Sequence, residues 1–140
     1  SSASACAHER IHDVRESRDL TREEFLRRIE GSEILVVGEK HSTDSIQQSE
    51  ARLFADFAEA KRRRVTFAWE FWNWSEQSKL EENFDRFRGG EIDGAAFLRA
   101  MFGEKNSELT YLPLVEAAKT AGADVLATNL TRAEKAPVLK

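Results

Sequence analysis

The sequence predicts an α/β fold, a parallel sheet with flanking helices. Two observations carry that prediction. Short apolar runs suited to buried strands stand at 34–37, 65–69 and 124–128. Between them lie stretches with apolar residues at helical spacing, long enough for the crossovers that parallel strands require.

Taken in chain order, residues 1–18 are polar, charged and aperiodic and read as a tether. His8 and His12 would share a face if that stretch were helical, but no apolar stripe supports a helix there. Thr21 and Glu24 form a capping box, and Phe25, Leu26 and Ile29 follow before Gly31, which predicts a short amphipathic helix. Ile34, Leu35, Val36 and Val37 are bounded by Gly31 and Gly38 and read as a buried strand. A long helix is expected from Thr43 or Asp44 to about Arg63, with Ile46, Leu53, Phe54, Phe57 and Ala58 on its inner stripe. Lys61, Arg62, Arg63 and Arg64 fall at its C-terminus, where cations offset the helix dipole.

A second strand is expected over 65–69. Ser75 then reads as the cap of a helix carrying Leu80, Phe84 and Phe87, closed by Gly89 and Gly90. Asp93 caps a helix with Phe97, Leu98 and Met101, and Pro113 sits in the first turn of another with Leu114, Val115 and Ala118. The third strand covers 124–128. Three parallel strands leave edges uncovered, so residues 19–140 read as the N-terminal part of a larger α/β domain, or as one whose missing edge a partner supplies.

Composition narrows the function classes. At 140 residues, about two thirds of the unfolded surface can be buried, enough for a core without staples. Hydrophobic residues at 41%, with only seven glycines and two prolines, exclude collagenous and broadly disordered chains. A net charge of −4 with both signs interspersed gives no reason to expect a nucleic-acid partner. The single cysteine, Cys6, excludes an internal disulfide. It follows a tract of small residues, as in the cleavage and lipidation signal of bacterial lipoproteins.

In an open parallel sheet, ligands bind beyond the carboxyl ends of the strands. The first expected strand delivers Glu39, Lys40 and His41, the second Glu70 before Phe71, Trp72 and Trp74, and the third Asn129 and Arg132. Two carboxylates, an imidazole, an amide and a guanidinium on one rim are the side chains of a metal or acid–base site. Glu70 interrupts an aromatic stretch, where a carboxylate without a partner is costly.

Val36-Val37-Gly38-Glu39-Lys40-His41, then Trp69-Glu70-Phe71, then the run from Tyr111 to Ala118, then the run from Ala127 to Arg132, together resemble the ChaN-like family. These are bacterial haem-binding, iron-regulated lipoproteins of the Tiki superfamily, and the resemblance covers about residues 32–132. It implies a haem-binding lipoprotein of haem and iron uptake, anchored through lipidated Cys6 in the periplasm or outer membrane. Tyr111, the only tyrosine, would be the axial ligand and His41 the alternative. Trp72 with Trp69, Phe71 and Trp74 would wall the porphyrin. Asn129 would line the site, while Arg132, Lys40 and Arg88 would face the propionates. A homodimer would close the pocket. Some superfamily relatives are metal-dependent hydrolases; on that reading Glu39, His41 and Glu70 would be catalytic, with a divalent metal in place of haem.

Overall fold

The computed structural model describes residues 10–103 and 106–136. Cys6 and His8 lie outside the described residues. The chain forms two compact units, Ser1–Val36 and Val37–Lys140.

In the first unit, β1 (Ile11–Asp13) and β2 (Arg18–Leu20) form an antiparallel hairpin, followed by helix α1 (Arg22–Glu30). Where the sequence predicts a tether through residue 18, a hairpin starts at Ile11. Its strands are too short to show an alternating pattern, and side chains hold the turn instead. Asp13 Oδ1 accepts from the backbone N–H groups of Arg15 (2.7 Å) and Glu16 (2.9 Å), and Ser17 takes up a left-handed conformation. His12 is in a strand and not a helix, its Nδ1 2.8 Å from Asp19 Oδ1. The capping box of α1 forms as predicted: Thr21 Oγ1 accepts from Glu24 N (3.2 Å), and Glu24 Oε2 from Thr21 N (2.8 Å).

The expected strand over 34–37 does not form. Ile34 is 80% exposed and Val36 87%, and the segment has no ladder partner. A run of branched aliphatic residues carries strand propensity, but a strand exists only through the backbone and side-chain pairs of a neighbour.

In the second unit, helix α2 (Asp44–Lys61) leads to β3 (Thr66–Asn73). A 3₁₀ turn and α3 (Gln77–Arg88) follow, then α4 (Gly94–Phe102), α5 (Leu112–Thr120), β4 (Asp124–Asn129) and the short α6 (Arg132–Lys135). β3 and β4 pair in parallel from Thr66↔Asp124 to Trp69↔Ala127, with an irregularity before Asn73↔Asn129. The parallel sheet therefore has two strands rather than the three expected. Gln77 closes the outer edge of β4: its amide donates to Val125 O (2.9 Å) and accepts from Ala127 N (2.7 Å), as a neighbouring strand would.

Phe67, Trp69, Val125 and Ala127 project from the sheet into the core, while Thr66, Ala68, Glu70, Leu126 and Thr128 form its exposed face. The core continues through Trp72, Leu80, Phe84, Phe87, Phe97, Leu98, Tyr111, Leu114 and Val115. α2 packs against α5, and α3 against α4 and β4. Gly94 lets α4 approach α5, since a Cβ there would meet Leu112 Cδ1 at 2.5 Å. Asp93 caps α4 as expected, accepting from Ala96 N (2.7 Å). The turn before α3 is capped by Asn73, whose side chain and backbone N–H both reach Glu76, and not by Ser75.

Candidate functional site

The segment after Gly38 runs to the carboxyl end of β3, where α2 begins, and Glu39 is the hub of what it builds. The Glu39 side chain is only 10% exposed. Its Oε1 accepts from the Tyr111 hydroxyl (2.8 Å) and stands 2.9 Å from His41 Nδ1. Its Oε2 accepts from the amide of Gln47, and the Glu50 carboxyl hydrogen-bonds to it as well. Four side chains from three segments thus converge on one buried carboxyl group.

Their electrostatics follow from that arrangement. Burial alone would push the Glu39 carboxyl up, but hydrogen bonds from His41, Tyr111 and Gln47 outweigh it and hold Glu39 below the ordinary carboxylate range. Two adjacent carboxyl groups cannot both ionise cheaply. Burial and the Glu39 charge push Glu50 up to about 7, and its Oε2 is buried with no hydrogen-bond partner. The hydrogen bond to Glu39 raises His41, and burial together with donation to Glu39 raises Tyr111.

His41 faces outward from this hub. Its side chain is 53% exposed, its ring lies 4.9 Å from that of Phe71, and its Nε2 is 3.8 Å from Glu70 Oε1. Glu70 itself is 71% exposed. The cost argued for it from sequence therefore does not arise: strand alternation sets it on the open face while Trp69 turns inward.

Of the residues expected at the strand ends, Glu39, His41 and Glu70 lie together, and Tyr111, which the strand-end argument does not include, joins them through Glu39. The structure turns two of the anticipated ligand-facing residues inward. Tyr111 is fully buried, its ring 5.2 Å from Trp69 and 5.1 Å from Phe71 and its hydroxyl engaged by Glu39 and Ser42 N. Trp72 packs on Trp69 and Phe102 in the core. Asn129 ends β4, its side chain accepting from Leu130 N (3.0 Å), and Arg132 is exposed at the start of α6. Arg88 belongs to the end of α3, paired with Asp85. Trp74 keeps an exposed indole whose N–H donates to Glu134 (2.9 Å).

Sequence reasoning missed Gln47 and Glu50. The signal was present: both interrupt the inner stripe of α2, at seven and four residues before Phe54, where apolar side chains are the rule.

Fold and site together define an α/β domain with an exposed imidazole backed by a buried carboxylate. Its family follows from comparison: a family model described as haem-binding uptake, Tiki superfamily, ChaN matches residues 25–140, and the chain belongs to that family. Comparison with curated proteins and with solved structures gives no match.

The donor set fits haem. Ferric haem iron takes an imidazole nitrogen or a tyrosinate as an axial ligand, and outer carboxylates orient such imidazoles. Among the described residues no group of three or more His, Cys, Asp or Glu side chains is arranged to hold a metal ion. No helix among them is long and apolar enough to cross a membrane.

Proposed function

We propose that this chain binds haem at the rim around His41, as a lipid-anchored protein of haem and iron uptake. The observation that carries the reading is the exposed His41 imidazole, held from behind by the buried Glu39 carboxylate. Family membership supports a haem-binding role in general. His41 is the axial ligand in this reading, because its ring is open to solvent whereas the Tyr111 hydroxyl is committed to Glu39. Phe71 and the exposed Trp74 supply apolar flanks, and Lys40 and Arg132 supply cations for the propionates. One rim encloses little of a porphyrin, so a second copy closes the site. Cys6, after its tract of small residues, carries the lipid on the periplasmic or outer-membrane side.

Titration of the protein with ferric haem tests the reading. Wild type should give a saturable Soret shift near one haem per chain or per dimer, and His41→Ala should weaken binding at least tenfold. A wild-type protein with no saturable shift would overturn it. Mass spectrometry of the native membrane protein should find a diacylglyceryl group on Cys6; an unmodified cysteine would remove the anchor from the proposal.

A further inference from the structure

The buried polar groups behind His41 have a use that haem binding alone does not assign. Gln47 is fully buried on α2, in the stripe that packs inward. Its amide orientation is set by its partners. Gln47 Oε1 accepts from the Thr43 backbone N–H at 2.6 Å, so the NH₂ group must face the other way, onto Glu39 Oε2 and, more distantly, Lys40 O (3.4 Å). From the opposite side Tyr111 donates to Glu39 Oε1, and its hydroxyl in turn accepts from Ser42 N (3.3 Å). Every polar atom of Gln47 and the hydroxyl of Tyr111 are thus spent on the segment carrying Glu39 or on Glu39 itself.

An ionised carboxylate only accepts hydrogen bonds, so an imidazole nitrogen 2.9 Å from it carries a proton. The other ring nitrogen lies 3.8 Å from Glu70, beyond hydrogen-bond reach. The two distances decide between the tautomers. We infer that Gln47 and Tyr111 are positioning residues that clamp the Glu39 carboxylate on His41 Nδ1, so that the neutral imidazole keeps its proton on Nδ1 and presents Nε2 outward as the donor atom. This deepens the haem-binding reading by naming the ligating nitrogen, yet the tautomer is a property of the ligand-free protein.

The test uses the full chain labelled with ¹⁵N-histidine, without haem, at about pH 9. Long-range ¹H–¹⁵N correlation reports which nitrogen is protonated, and His41→Gln identifies the His41 signals among those of the three histidines. Wild-type His41 should be the Nδ1–H tautomer. Gln47→Met, which keeps the volume and removes the amide, should shift the tautomer ratio toward Nε2–H by about tenfold, the worth of one hydrogen bond. Tyr111→Phe should shift it in the same direction, and it deletes a single oxygen should Gln47→Met fail to fold. A wild-type Nε2–H tautomer, or an unchanged ratio in a folded variant, would overturn the inference. Loss of the haem reading leaves these outcomes intact: a protein with no Soret shift but the expected tautomer response keeps the clamp and discards the ligand.

Discussion

Two glutamates flank His41 and differ in almost everything except their neighbour. Glu39 is nine-tenths buried and receives hydrogen bonds from the loop and from two helical elements, whereas Glu70 stands on the open face of β3 in water. The sequence predicts both at strand ends, with Glu70 the more constrained; in the structure Glu39 follows an unpaired segment and Glu70 lies within β3. Apolar chain neighbours do not by themselves bury a strand residue. Alternation does, and the aromatic side chains beside Glu70 either point to the opposite face or lie past the irregularity in the β3–β4 ladder.

The widest contrast should appear on deleting each carboxylate. Glu39→Ala removes the acceptor of the Tyr111 hydroxyl and the nearer acceptor of the Gln47 amide, which costs roughly 3 kcal/mol. Glu70→Ala removes an exposed group and should stay within about 0.5 kcal/mol of wild type. Urea unfolding of both variants measures the gap; equal costs would erase the distinction between the two sites.

Tyr111→Phe sharpens the comparison from the other end of the bond. The ring remains in its aromatic setting, while Ser42 N loses its acceptor and Glu39 one donor, for a cost of about 1.5 kcal/mol in the same assay. A cost near zero would mean that the phenol is not part of the carboxylate's support.

A smaller effect depends on pH. The Glu50 carboxyl is raised from 4.5 to about 7, so its contribution to stability is full below the unfolded value and lost as pH rises through 7. Glu50→Gln cannot ionise and keeps a donor toward Glu39. It should be more stable than wild type by about 1 kcal/mol at pH 8, after allowance for solvent screening, and show no such gain near pH 4.5. Thermal unfolding at the two pH values reads the difference. An equal effect at both would place the Glu50 proton elsewhere.

Much of the fold was legible because helices announce themselves by caps and by stripes. Thr21, Asp93 and Pro113 mark real helix starts, and β3 and β4 sit where apolar runs meet glycine or charge. The stretch over 34–37 misled for a physical reason, since propensity is local and pairing is not. The site was half legible. Glu39 and His41 stand out as polar groups between an aliphatic run and a helix, and Tyr111 at a helix start, whereas the interruptions of the α2 stripe at Gln47 and Glu50 gain a meaning only once α2 is docked against a carboxylate. That Tyr111 points inward is equally invisible in sequence, because a tyrosine before a helix fits both core and surface.

The central claim is that the imidazole faces out and the phenol faces in. Resonance Raman spectroscopy of the ferric haem complex, recorded for wild type and Tyr111→Phe, tests it most directly. Imidazole ligation is expected in both proteins, with no tyrosinate bands in either; tyrosinate bands in wild type that vanish in Tyr111→Phe would overturn it.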